Sequence, residues 1–300
     1  MPAVAHALRR SAPAYPKGDL TFDACDFERV RQLILARAGI SLHAGKQAMV
    51  YSRLVRRLRE TGHPSFAGYL KSLEASAHAG SNGEWQEFVN CLTTNLTAFF
   101  REEHHFAALA EALRLRASQR LRIWCAAAST GEEPYSVAMT VAESIATHAA
   151  THAATHATAD AAADVRIVAT DIDTQVLATA QRGVYRADAR GLSPQRLQQH
   201  CLRGTGVNSG LVRIKPELAR GVEFRPHNLM TADWSFGEPF DMVFCRNVLI
   251  YFDPAAQREV LARIHRVLKP GGLLFVGHSE NFSDLRALFQ LRGKTIYQRL

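Results

Sequence analysis

Two short stretches carry side chains whose types and spacing could do chemistry. Residues 123–136 read Ile-Trp-Cys-Ala-Ala-Ala-Ser-Thr-Gly-Glu-Glu-Pro-Tyr-Ser, after an apolar run and ahead of a helical pattern. Small side chains there let a ligand approach the backbone closely. A phosphate-binding loop in this place would want Lys or another cation. This one carries Glu132 and Glu133, which suits a ligand with positive charge or with hydroxyl and amine donors. The next apolar run ends Ala169-Thr170-Asp171-Ile172-Asp173. An acid at the end of a second strand is where nucleoside-binding sheets grip a ribose diol. An acid ahead of a helix starting near Thr174 could equally cap it. Asp173 is the better cap and Asp171 the better ribose ligand. S-adenosylmethionine offers a sulfonium, an ammonium and a ribose to such a pair of sites.

The elements that must position these residues come in two textures. Up to about residue 92 the pattern is helical. Phe27, Val30, Leu33, Ile34 and Ala38 form one stripe, and Met49, Val50, Leu54 and Leu58 another, ended by Thr61-Gly62. Ser65 reads as the N-cap of a helix over 66–75, and a further helix covers about 84–92. No strand is expected before residue 120. Beyond it, apolar runs at 121–126, 165–170, 222–224, 240–245, 272–277 and 295–299 alternate with helical patterns at 135–145, 174–181 and 254–268. Such alternation predicts βαβ units and a mostly parallel sheet covered by helices. The expected class is therefore α/β. The expected organisation is a flexible tail 1–19, a helical domain 20–92, a linker and connecting helix 93–119, and a sheet domain 120–300. A small β-rich insertion is expected at about 184–221, where Gly204, Gly206 and Gly210 punctuate the chain. A second interruption, 146–163, repeats Thr-His-Ala-Ala, with His148, His152 and His156 four residues apart. Histidines so spaced can chelate a metal, but no acidic or Cys ligand lies nearby, and the segment reads as a surface insertion in a loop. No metal is expected.

Of the 300 residues, 47% are hydrophobic and 21% charged, which excludes a disordered chain. No apolar run approaches the roughly 18 residues of a membrane span, and no secretory h-region is seen at the start. Five scattered cysteines without a CxxC pair read as reduced thiols. A cytoplasmic protein is expected. A net charge of +8 favours a polyanionic partner without choosing among nucleic acid, membrane surface and acidic protein.

Five motifs in order resemble the CheR family of chemotaxis receptor methyltransferases. They are Thr94-Asn-Leu-Thr-Ala-Phe-Phe-Arg101, the loop Ser129–Ser136, Ala169–Asp173, Phe244-Cys-Arg-Asn-Val-Leu-Ile-Tyr-Phe252 and Gly277-His-Ser-Glu-Asn281. The resemblance spans about residues 20–300. Ala127 departs from the glycine of many members and is small enough to leave room. The resemblance implies a Rossmann-like S-adenosylmethionine methyltransferase domain with an inserted antiparallel β-subdomain, preceded by an all-α substrate-recognition domain. The implied activity esterifies glutamate side chains of chemoreceptors, with S-adenosylhomocysteine as the other product, in chemotactic adaptation. It implies cofactor contacts from Asn95, Thr97, Arg101, Glu133, Asp171, Asn228, Leu229, Arg246 and Asn247, with Arg101 and Tyr251 nearest the reacting methyl. It also implies that Arg203, Gly204, Gly206, Gly210 and Arg213 bind a tail at the receptor C-terminus. Arg53, Arg56 and Arg57 share a helix face, which would meet the acidic methylation helices.

Simpler readings stand beside these. Phe99 and Phe100 fit a core, Tyr251 could be a core tyrosine bonded to backbone, and an arginine run is usually solvated. His278 and Glu280 fit structural loop roles and receive no assignment. A nucleic-acid methyltransferase would need a base-flipping pocket, yet no Asn-Pro-Pro-Tyr-like motif appears and the basic residues cluster on the helical domain. A cofactor-sensing module without activity would not need the full set Asn95, Arg101, Glu133, Asp171, Asn247 and Tyr251. No nucleic acid and no membrane insertion are expected.

Overall fold

The computed structural model describes residues 20–78, 82–116, 120–151, 165–280 and 286–300. The expected tail 1–19, His152, His156, Asn281 and the side chain of His148 lie outside the described residues. Among the described residues, no helix is long and apolar enough to cross a membrane. The chain divides into two compact units, one of described residues up to Leu33 with Leu42–Leu92, the other of Ile34–Ser41 with Thr93–Leu300.

The first unit is built on helix α1 (Ala24–Ala38) up to Leu33, and on α2 (Gln47–Thr61), α3 (Phe66–His78) and α4 (Gly83–Leu92). Helix α2 buries Val50, Leu54 and Leu58, one stripe at four-residue spacing. It stops at Gly62, whose φ of 74° is the left-handed conformation glycine accepts at a helix end. The Gly68 amide donates to Ser65 Oγ at 3.1 Å, the expected cap of α3. Phe66, fully buried, packs against the rings of Phe22 and Tyr51.

The second unit begins with α5 (His104–Leu115). Then follow β1 (Leu121–Cys125), α6 (Glu132–Thr151), β2 (Val165–Asp171), α7 (Thr174–Arg182) and β3 (Val184–Arg186). Next come α8 (Pro194–His200), β4 (Cys201–Arg203), β5 (Leu211–Ile214), α9 (Pro216–Ala219), β6 (Val222–Pro226) and β7 (Phe240–Cys245). The last elements are α10 (Pro254–Val267), β8 (Leu268–Val276), β9 (Phe289–Gly293) and β10 (Ile296–Arg299). Seven strands form one sheet in the order β6-β2-β1-β7-β8-β10-β9. It is parallel from β6 to β8, and β10 runs antiparallel to both its neighbours. Alternation of side chains sorts the core. Ile123 and Cys125 of β1 join a cluster with Leu109, Leu113, Val137 and Val141 of α5 and α6. Trp124 points the other way, into a cluster with Val260 and Ile264 of α10. Both faces are covered, as a parallel sheet requires.

The insertion after α7 holds a separate antiparallel sheet, β3-β5-β4. Val212 and Ile214 of β5 turn into the main core, while Arg213 between them is exposed.

Several expected boundaries shift. Helix α6 starts at Glu132, three residues before the expected Tyr135, because Glu132 and Glu133 take its first turn, where acids suit the helix dipole. It also continues to Thr151, so the first part of the histidine repeat is helical and not loop. Strand β8 begins at Leu268, directly after α10, and carries Pro270-Gly271-Gly272 inside it. The short strands β3, β4 and β9 were not anticipated one by one.

Candidate active site

The strand order places the chemistry-bearing segments together. Strands β6, β2, β1 and β7 lie side by side and parallel, so the residues after each carboxyl end share one edge of the sheet. That edge is where ligands of open α/β sheets bind. It carries His227–Leu229, Asp171–Asp173, Ala126–Gly131 and Arg246–Tyr251.

Asp171 ends β2. Its Oδ2 accepts the Ser129 amide at 2.8 Å and its Oδ1 the Asp173 amide at 2.9 Å. Burial lifts its carboxyl to about 6, against the pull of these amides. Asp173 caps α7, with Oδ1 accepting the Gln175 and Val176 amides at 2.9 and 3.2 Å. Its Oδ2 takes Asn95 Nδ2 at 2.8 Å and the Thr93 hydroxyl at 2.7 Å. Ser129 Oγ donates to the Asn95 carbonyl at 2.9 Å. The segment bearing Asn95, Thr97 and Arg101 is therefore laced to the ends of β1 and β2.

At the end of β7 sits Arg246, 5% exposed. Its Nη1 pairs with Glu133 Oε2 at 2.8 Å, and its Nη2 donates to the Arg101 carbonyl and lies 3.5 Å from Glu102 Oε2. A buried guanidinium between two carboxylates joins α6, the 95–102 segment and β7. Burial pushes the Glu133 carboxyl up, with Arg246 opposing. Burial also pushes Glu102 up, but Arg246 and the His278 amide outweigh it and hold it below the usual range. Asn247 Nδ2 reaches Glu102 Oε1 at 3.4 Å. Glu280, 3% exposed, accepts four amides: Asn247 at 2.9 Å, Gly277 at 2.6 Å, Leu249 at 2.8 Å and Ile250 at 3.4 Å. Gly277 has no room for a Cβ, which would lie 2.3 Å from Asn247 Nδ2.

Strain concentrates here. Phe100, Glu102, Ser129 and Asn247 have φ of 52°, 59°, 48° and 58°, each costing on the order of 1–3 kcal/mol. All four lie in these segments.

The remaining residues singled out in the sequence are placed as follows. Asn228 Nδ2 donates to the Arg37 carbonyl at 2.8 Å and its Oδ1 accepts the Met230 amide at 2.9 Å. Leu229 is buried. Thr97 and Tyr251 are half-buried, and the Tyr251 carbonyl accepts the Ser41 amide at 2.8 Å. Arg101 Nη1 donates to the Leu96 carbonyl at 3.1 Å. Arg203, Gly206, Gly210 and Arg213 are exposed on the inserted sheet, with Gly206 and Gly210 at φ of 56° and 83°. Gly204 is packed closely, since a Cβ there would lie 2.2 Å from the Asn208 carbonyl oxygen. In the first unit, Arg57 Nε donates to Glu84 Oε1 at 2.9 Å and its Nη1 to Glu60 Oε2 at 3.1 Å. Arg53 Nη1 donates to the Leu92 carbonyl at 2.9 Å. Arg56 is the open one of the three, its side chain 73% exposed.

Sequence reasoning missed Glu102 and left Glu280 unassigned. Glu102 adjoins Arg101, the one signal that could have drawn attention to it. Glu102, His104 and His105 also bring three possible metal-ligating atoms within 4.8 Å of one another. Arg246 already supplies a cation there, so the group reads as part of the ion network. His105 is neutral, its imidazole pushed down to about 3 by burial.

The donor set fits S-adenosylmethionine. Asp171 keeps acceptor capacity for a hydroxyl beyond the amides of Ser129, Asp173 and Ile172, and Glu133 and Glu102 offer negative charge near a cationic ligand.

A family model described as CheR methyltransferase, SAM binding domain, matches residues 95–298, and one described as CheR methyltransferase, all-alpha domain, matches 26–93. The chemotaxis protein methyltransferase of Escherichia coli (strain K12) is 50% identical over 279 residues, 93% of this chain and 92% of that one. That of Klebsiella aerogenes is 49% identical over 292 residues, 97% and 93% of the two chains. Chemotaxis protein methyltransferase 2 of Pseudomonas aeruginosa is 45% identical over 289 residues, 95% and 97%. With both parts of the chain matched and 50% identity to such a relative over 279 residues, this protein belongs to the CheR methyltransferase family and carries that family's S-adenosylmethionine-binding domain behind its all-α domain.

Proposed function

We propose that the protein methylates glutamate carboxylates on the cytoplasmic helices of chemoreceptors, giving methyl esters and S-adenosylhomocysteine in chemotactic adaptation. The observation that carries this is the 50% identity, over nearly the whole length, to a chemotaxis protein methyltransferase. Bound S-adenosylmethionine supplies an electrophilic methyl group. The acceptor glutamate, with an ordinary pKa of ~4.3, is ionised at neutral pH, so no general base is needed. The chain must supply orientation, which is worth ~7–11 kcal/mol in favourable cases. Asp171 is proposed to hold the ribose hydroxyls. Glu133, Asn95, Thr97, Arg246 and Asn247 line the rest of the site, and Asn228 with Leu229 flanks the adenine. The Arg101 guanidinium steers the acceptor carboxylate through its planar fork, and the Tyr251 hydroxyl is a milder donor that leaves the nucleophile reactive. Excluding water favours the loss of opposite charges as ester and thioether form.

Docking is proposed to use the basic face of α2, Arg53, Arg56 and Arg57, of which Arg56 is the most exposed. Arg203 and Arg213, with Gly204, Gly206 and Gly210 at the strand ends, are proposed to take a receptor tail along an edge of the inserted sheet. A tether raises local substrate concentration without touching the chemistry.

The test is methyl transfer from labelled S-adenosylmethionine to receptor-bearing membranes, DNA and RNA. Alkali-labile label on receptor glutamates is expected. Label on nucleic acid, or an alkali-stable product, overturns the reading. Arg203→Ala with Arg213→Ala should slow methylation of tailed receptors only. Arg53→Ala with Arg56→Ala should slow both tailed and tail-less receptors, an effect that added salt mimics by shortening the screening length to ~8 Å near physiological strength.

A further inference from the structure

The inserted subdomain does more than present an outer surface, because its inner side reaches two segments of the candidate site. Tyr185, on β3, is 8% exposed, and its hydroxyl donates to the Thr130 carbonyl at 2.7 Å. Thr130 lies in the loop between β1 and α6. Burial pushes the phenol up, so it stays a protonated donor. Gly131 next to it has a φ of +100° and no room for a side chain: a Cβ would lie 2.6 Å from the Tyr185 hydroxyl oxygen. The Tyr185 ring meets Phe99 edge-on, centroids 4.9 Å apart. The same inserted segment binds the other half of the site. The Phe99 amide donates to the Arg190 carbonyl at 3.2 Å. Gly191 packs so closely that a Cβ would sit 1.8 Å from the Phe99 carbonyl oxygen. Arg196 of α8 lies over the Phe100 ring at 3.5 Å and is paired bidentately with Glu143 of α6 at 2.9 and 3.0 Å. Phe99 and Phe100 directly precede Arg101.

We propose that Tyr185 is a positioning residue for cofactor binding: from the inserted subdomain it fixes the loop Ala128–Gly131 through the Thr130 carbonyl, so the cofactor site is incomplete without the subdomain. This rests on the reading of that loop as part of the S-adenosylmethionine site. The loop's shape depends on Ser129 and Gly131 at positive φ, and the Tyr185 hydroxyl is a bond from outside the sheet that holds it there. Linkage then runs both ways: what rigidifies the loop rigidifies β3, and what loosens β3 weakens ligand binding.

Tyr185→Phe keeps the ring against Phe99 and removes only the hydroxyl. Calorimetry with S-adenosylhomocysteine should show Kd rising about 3- to 10-fold, the range of one net hydrogen bond. The KM for receptor should be unchanged, and kcat at saturating S-adenosylmethionine should stay within about twofold. Ser193→Ala, which removes the cap of α8 in the same insertion, should lower the melting temperature and leave that Kd alone. If Tyr185→Phe lowers the melting temperature without changing Kd, Tyr185 is only a fold residue and the proposal is wrong. A second measurement needs no variant. Adding S-adenosylhomocysteine to the wild-type chain should slow hydrogen exchange at the Val184–Arg186 amides as well as in the loop. Protection confined to the loop overturns the proposal. A wild-type chain that fails to bind S-adenosylhomocysteine instead overturns the reading of the loop on which the proposal rests.

Discussion

The loops after β2 and after β7 are each organised by a buried carboxylate, but the two acids differ in what they have left to offer. Asp171 and Glu280 are 8% and 3% exposed, and burial pushes both carboxyls up. A carboxylate has about four lone-pair sites. Glu280 accepts four amides and is full. Asp171 accepts the amides of Ser129 and Asp173, the Ile172 amide also pulls on it, and one of its roughly four lone-pair sites is left. Burial therefore does not set the two acids apart; the number of amides each already accepts does.

The largest expected effect is that of Glu280→Ala. It removes the acceptor of four amides, each worth roughly 1–3 kcal/mol when buried and unmet, so denaturant unfolding should show a loss of about 3 kcal/mol or more. Activity should fall with it, because Arg246, Asn247 and Tyr251 ride on that loop. A folded variant of full stability would show that water replaces the clamp. Asp171→Asn should act differently. It keeps one acceptor oxygen but not the charge, and hydrogen bonds to charged groups are worth about 1.5–3 kcal/mol, so S-adenosylhomocysteine should bind about 10-fold or more weakly, while the one amide left facing the new NH2 costs about 1–3 kcal/mol of stability. If affinity holds and stability falls, Asp171 has the same job as Glu280.

The raised carboxyl of Asp171 gives a smaller and graded effect. Protonation removes the charged acceptor, so S-adenosylhomocysteine affinity measured from about pH 8 to pH 5 should weaken as pH falls through about 6. Asp171→Asn should flatten that profile. The sign for folding is opposite. The native chain holds this proton more tightly than the unfolded one. This group's contribution to stability therefore declines as pH rises from its ordinary value of ~4 to about 6. The smallest effect on affinity belongs to Asp173→Ala, which removes the cap of α7 together with the acceptor of Asn95 Nδ2 and of the Thr93 hydroxyl, and should cost about 2 kcal/mol or more in thermal or denaturant unfolding. If it instead matches Asp171→Asn in lost affinity, Asn95 depends on Asp173 for its place in the site.

The capping of α7 by Asp173 was legible in the sequence because helix capping is local. So were the sheet class and the stripes of α1 and α2. The clamp on the β7 loop was not, because Glu280 bonds to backbone amides, which carry no residue type, up to 33 positions away. Glu102 was missed because its partner Arg246 is distant in the chain and its left-handed backbone has no glycine to announce it. The spacing in α2 puts Arg57 with Arg53 and Arg56 on one basic face expected to meet a receptor, yet Glu84 engages it from another helix, and no pattern within α2 records that. Strands β3 and β4, three residues each, are too short to show a period.

Glu280 also fixes an order in time. Translation delivers Arg101, Glu133, Asp171 and Asn247 before the carboxylate that sets the backbone around Asn247. Central strand β1 must likewise wait for β7, more than a hundred residues downstream, to gain its second neighbour. Contacts so far apart in sequence close late. A nascent chain can thus hold most of the residues proposed to bind a methyl donor and still lack the geometry to use one.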